Sequence, residues 1–310
     1  KYQAKKMAVS ANPISKYLSR WKHGKLLAVC FVVVIAAATT YLIIAREPYP
    51  GEIAAREIAR LKEGVAQYPK DLARRMELAL LYYEAGSPRQ AIAQLEKILE
   101  LDAHHQGALI LLGDVYMEMG RYDDAVPYFH RVVGLNIHNP MSSMSRELEG
   151  VYYQLGTAYF NLGKLDDAVN ALSAALEIDA ADADAWYMLG NTYLKQGQFE
   201  KAIESFEQAI RFVPNFKEAY QGLAQCYQKT GQGSLALYAE AMVAYSSGSF
   251  REAIRQLESV IADKPDIVEV YLGLGLAYEG IGEKEKAIDA YKKALSLEPD
   301  NWLAQAKLNK

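Results

Sequence analysis

An all-α solenoid of stacked helical hairpins, preceded by one transmembrane helix, is the fold class this sequence predicts. Three observations predict it. One spaced set of residues recurs, clearest as Trp186, Leu189, Gly190 and Tyr193 followed by Ala202, Phe206, Ala209 and Pro214. Related sets return with a period of about 34 residues, the mark of a helix-pair repeat. Ahead of them, Leu26–Ala45 is an apolar 20-mer without a charge.

Residues 1–25 hold seven Lys/Arg and no acid, while the whole chain has a net charge of −4, so the remainder sums to −11. An acidic soluble part argues against nucleic acid, because phosphate binding needs a basic face. At about 1.5 Å per residue the apolar 20-mer reaches roughly 30 Å, the thickness of a bilayer core. It is longer than the apolar core of a cleaved signal peptide. Within residues 12–22, Asn12 is a cap and Pro13 suits a first helical turn. Ile14, Tyr17, Leu18 and Trp21 then share one face, as in a short interfacial helix. Tyr17, Trp21, Lys22 and Lys25 are the expected membrane anchor, at headgroup level among anionic lipids. The positive flank places residues 1–25 in the cytoplasm and the repeats across the membrane, in the periplasm of a bacterium. The domain reading is a basic segment at 1–25, a transmembrane helix at 26–45 and a repeat domain at 46–310. Cys30 lies in the span and Cys226 in a repeat helix, so no disulfide between them is expected.

Small residues such as Gly190 and Ala202 let the two helices of a pair approach, and Trp186, Tyr193 and Phe206 fill the space between pairs. One pair cannot bury its apolar face alone, so copies must stack. Copies fall at 72–105, 106–139, 149–182, 183–216, 234–267 and 268–301, with Leu112-Gly113, Leu155-Gly156 and Leu274-Gly275 repeating Leu189-Gly190. These residues resemble the tetratricopeptide repeat family (TPR), and the resemblance covers roughly residues 52–310. It implies a superhelix of hairpins that binds protein ligands in its concave groove.

Departures from the period carry information. Residues 52–68 match only a second helix and read as a half-repeat. Leu112 to Leu155 is nine residues longer than one period, with turn signals at 137–146. Leu223 to Leu274 spans one and a half periods, so 217–230 reads as a first helix whose partner, 234–247, also opens the next copy. Glu240 stands where Leu is usual, and a bend and a softer junction are expected at 231–234. Asp300 to Lys310 reads as a cap, with Trp302 and Leu308 covering the last pair.

In each first helix a second stripe, repeating at i, i+4 and i+7, lies beside the Leu-Gly-Tyr stripe. It reads Met76, Leu80, Tyr83; Ile110, Asp114, Met117; Tyr153, Thr157, Phe160; and Tyr187, Asn191, Leu194. In proteins that these repeats resemble, that stripe lines the groove, so these twelve are the expected partner-binding residues. A largely apolar, aromatic groove suits a peptide or helix with apolar anchors. Such stripes also arise where helices pack on both sides, which leaves self-packing open. The fifth first helix turns polar with Gln221, Gln225 and Gln228; the next offers Tyr238, Met242 and Tyr245 if the register holds. Some family members grip a C-terminal carboxylate with cations at positions matching Met76, Leu80, Ile110, Asp114, Tyr153 and Thr157; cations are absent there.

No phosphate-loop, dinucleotide, zinc-protease, paired-cysteine or nucleophile-elbow motif appears, so no catalytic residue, cofactor or metal is expected. His104 and His105 read as solvated or capping. Asp123-Asp124 and Asp166-Asp167 complement the dipoles at second-helix starts. The expectation is a membrane-anchored scaffold, an assembly factor or ancillary subunit of a membrane complex. The alternatives are an organelle outer-membrane receptor with cytosolic repeats and an accessory domain of an enzyme complex.

Overall fold

The computed structural model describes residues 50–136 and 146–309. The interfacial helix with its anchor residues, the apolar span, Cys30 and nearly all of the 137–146 loop lie outside the described residues. Among those described there are fifteen helices and no strand. None is long and apolar enough to cross a membrane.

The chain divides into two compact units, residues 1–69 and 70–310. In the first, helix α1 (Pro50–Gln67) is amphipathic and buries Leu61 and Val65, one turn apart. The second begins with α2 (Leu72–Glu84), α3 (Pro88–Leu101), α4 (Gln106–Glu118), α5 (Tyr122–Asn136) and α6 (Arg146–Asn161). They are followed by α7 (Leu165–Ile178), α8 (Ala183–Gln196), α9 (Phe199–Phe212) and α10 (Lys217–Lys229). The rest are α11 (Gly233–Ser246), α12 (Phe250–Asp263), α13 (Val268–Gly280), α14 (Lys284–Leu297) and α15 (Trp302–Leu308).

Several hairpins close on the same contact, written in the repeat. A glycine of the first helix lets a large side chain of the second lie against its backbone: Gly113 meets Phe129, Gly156 meets Leu172 and Gly190 meets Phe206. Those three large side chains are fully buried. Caps set the starts: the side chains of Asp71, His105, Asp182 and Asn301 accept backbone N–H groups at α2, α4, α8 and α15. Asp123-Asp124 and Asp166-Asp167 occupy the first turns of α5 and α7.

The first helices end on glycines in the left-handed region, which a side chain would strain. Gly197 (φ 75°) and Gly231 (φ 74°) are 34 residues apart, whereas Gly231 and Gly248 (φ 76°) are 17 apart. Half a period is therefore the true size of the slip. Its consequence is visible in the packing. α4, α6, α8 and α10 each pack on the next in that series, and then the line passes to α11 and α13. α11 packs on both α10 and α12.

A weak junction does not follow. The largest core cluster runs from Phe206 through Tyr220, Leu223, Tyr238 and Met242 to Leu257 and Leu274, with the slip at its centre. Glu240 points to an exposed face, where its Oε1 accepts from Gln228 Nε2 at 2.8 Å. Hydrogen exchange over residues 228–248 is therefore expected to be as slow as over 183–213; opening more than about tenfold faster would show a soft junction after all. The C-terminal cap also differs from expectation in part. Trp302 is 51% exposed; Leu308 packs on the last pair as expected, together with Ala304, and Leu303 rather than Trp302 reaches the neighbouring core.

Candidate partner-binding groove

The stripe residues sit on α2, α4, α6 and α8, first helices of four successive copies. Eleven of the twelve are half-buried, and Leu80 is 40% exposed. A wall of this kind is packed at its base and open at its top.

On α2 and α4, Met76, Leu80, Ile110 and Met117 frame an acid. Burial first, and then the charge of Glu118 one turn on, push the Asp114 carboxyl up to about 6. Tyr83 crosses from α2 to hydrogen-bond Glu118; burial and that bond push its phenol up to about 12. Glu118 is a part of this site that the stripe did not include, because it lies four residues beyond Asp114 and off the i, i+4, i+7 line.

On α6, burial raises the Tyr153 phenol, and the Thr157 hydroxyl one turn on is buried with no hydrogen-bond partner among the described residues. Lys195 joins α8 to α6: its Nζ lies 4.4 Å from the Phe160 ring centroid and donates to the Phe160 carbonyl at 3.2 Å. This cation–π contact shows the Phe160 face open to a charged neighbour. Tyr187 is more committed, with ring centroids 6.0 Å from Phe206 and 5.1 Å from Phe216. Tyr187 and Tyr153 both contribute to core packing, so truncating them would disturb the fold as well as the groove. Leu80, Asn191 and Phe160 stand outside the core clusters.

The groove register does not carry across the slip. Gln221, Gln225 and Gln228 are exposed, as a solvated face should be. Tyr238 and Met242, expected to resume the stripe, are buried at 9% and 0% exposure. α11 is covered from two sides, by α10 and α12, and also meets α13, so the face that would open to the groove is core. Only Tyr245 of that trio remains half-buried. Among the described residues no group of His, Cys, Asp and Glu could hold a metal ion. His105 serves as a cap, its Nδ1 accepting from the Ala108 N–H at 3.1 Å.

Two family profiles described as tetratricopeptide repeat match the chain, one over residues 82–134 and the other over residues 153–233 and 238–301. The chain carries tetratricopeptide repeats. The break between 233 and 238 falls at the slip, where α11 belongs to two hairpins at once. A curated relative is the small glutamine-rich tetratricopeptide repeat-containing protein 2 of Saccharomyces cerevisiae, 38% identical over 65 residues. That match spans 21% of this chain and 19% of the yeast protein. Among solved structures, the C-terminal part of a TPR repeat-containing protein from Cytophaga hutchinsonii aligns with a TM-score of 0.54 at 19% identity. It covers 83% of this chain and 95% of that one, and shows the shared fold. The crystal structure of MamA aligns at 29% identity and a TM-score of 0.48, over 57% of this chain and 93% of MamA.

Proposed function

We propose that this TPR chain is a membrane-anchored scaffold that holds a protein partner in the groove of α2, α4, α6 and α8. Its role is that of an assembly factor or ancillary subunit of a membrane complex, without catalysis of its own. The observation that carries the binding reading is the half-open stripe repeated on four successive first helices, apolar and aromatic with one acid pair. Such a wall leaves anchor side chains of a partner somewhere to be buried, and TPR repeats serve protein–protein contacts. The apolar 20-mer and the seven positive charges ahead of it support the anchor and its direction. Residues 1–45 would then contact lipid, and the repeats would lie outside the cytoplasm.

Protease added outside sealed right-side-out vesicles is the test of that topology. The expected result is digestion of the repeats, leaving a small membrane-embedded fragment that contains residues 1–45. Protection of residues 46–310 would reverse the direction, and extraction of the whole chain by carbonate without detergent would remove the anchor.

A further inference from the structure

A cavity of about 340 Å³ opens in the second half of the repeat unit, walled by α9, α10, α11, α13 and α15. The slip creates it. Where the line of first helices passes from α10 to α11, the cap α15 comes back to α9, and Arg211 lies over the Trp302 ring at 5.9 Å although 91 residues separate them.

The walls have a particular chemistry. Glu207 enters from α9 and Glu269 from α13, and both are exposed to solvent through the mouth. Among the described residues neither carboxylate forms an ion pair. The crowded surroundings, and after them the charge of Glu269, hold the Glu207 carboxyl above its usual range. Tyr227 donates its hydroxyl to Glu207 Oε1 at 3.0 Å, which leaves the second oxygen for a ligand. Tyr238 closes the floor; its hydroxyl is satisfied by Tyr220, which in turn donates to the Pro214 carbonyl at 3.2 Å. Trp302 forms the rim and already carries a guanidinium on its ring. Arg211 also lines the cavity, but it lies over the Trp302 ring and pairs with neither carboxylate; the two like charges facing one space, with aromatic walls beside them, favour a second cation with an apolar stem.

We propose that this cavity receives a lysine or arginine side chain of a bound partner segment, its cation between Glu207 and Glu269 and its stem against the Tyr227, Tyr238 and Trp302 rings. This rests on the reading of the chain as a protein-binding scaffold, but the cavity is separate from the stripe on α2 to α8, so the two can fail independently. A free polyamine offers the same cation chemistry without the backbone of a peptide.

The test uses the full chain in nanodiscs, with the indole N–H resonance of Trp302 as reporter. The probes are a capped five-residue glycine peptide with a central lysine, the same peptide with arginine, the norleucine version and spermidine. The expected result is saturable movement of the resonance by the lysine or arginine peptide, with norleucine at least tenfold weaker. E207Q/E269Q should weaken the response at least tenfold, E269K should abolish it, and L80E in the groove should leave it unchanged. Both cavity variants are checked for unchanged helical content. Equal binding of the norleucine peptide, or full binding by folded E269K, would overturn the proposal. Response to spermidine alone would overturn the partner side chain in favour of a free polyamine. Partner binding unchanged by L80E/F160E, with the cavity response intact, would count against the groove reading only.

Discussion

Phe206→Ala is expected to destabilise the repeat unit by about 3–5 kcal/mol, the range for removing a fully buried aromatic from a packed core. Phe206 has no exposed surface. Its ring lies on α9 between Gly190 of α8 and Gly222 of α10, so a single side chain joins three consecutive helices. Glycine on both sides means that neither neighbour has a side chain with which to fill the void. In a solenoid each repeat is stabilised mainly by its neighbours, so the loss should fall on the α8–α10 segment before the ends. Thermal unfolding of the full chain in detergent, followed by helical circular dichroism, should shift down and broaden. Hydrogen exchange should locate the early opening at residues 183–229. A loss below about 1 kcal/mol would mean that the stack collapses around the missing ring.

The reverse change, Gly190→Val, adds volume at the same contact and is expected to cost about 1–3 kcal/mol. An added Cβ at residue 190 would lie 2.7 Å from Phe206 Cδ1 and Cε1, closer than real contacts allow. Mid-helix glycine costs up to about 1 kcal/mol against Ala, and valine recovers part of that. The clash outweighs this recovery because Phe206 is also held from the α10 side and cannot swing away. The two changes should therefore be strongly coupled. In Gly190→Val with Phe206→Ala the new methyl groups enter the emptied space, and the double variant should be more stable than the sum of the singles by about 0.5–3 kcal/mol. Simple additivity would show that the two residues do not share the contact described.

Much of this architecture is legible in the sequence because the repeat is local. Each hairpin contains its own spacing of small and large residues and its terminal glycine, and some carry a side-chain cap, so helices such as α8 and α9 can be placed from a few dozen residues. The slip is legible too, as the spacing of Leu223 and Leu274. What the slip does to individual side chains is not. Tyr238 and Met242 fit the groove periodicity, yet a third helix covers them, and periodicity on one helix does not say how many helices surround it. Glu240 breaks the pattern on an open face, where Gln228 meets it. In the groove, the apolar stripe could be read residue by residue. The Tyr83 bond to Glu118, the Lys195 contact on Phe160 and the commitment of Tyr187 to Phe206 and Phe216 arise between elements. The cavity is the extreme case, since its walls at α9 and α15 are distant in the chain and meet only through the superhelix.

The measurement that reaches the central claim is recovery of the partner from detergent-solubilised membranes by the full chain and by L80E/F160E. Those two side chains belong to the stripe proposed to line the groove and stand outside the core clusters, so charge can be placed there while the helices stay folded. Arg255→Glu on α12 is the control, at a side chain 75% exposed. One protein should be recovered in stoichiometric amount with the unmodified chain and with Arg255→Glu, and at least tenfold less with L80E/F160E. Equal recovery by all three, with helical content unchanged, would place the interface elsewhere and contradict the groove as the binding surface.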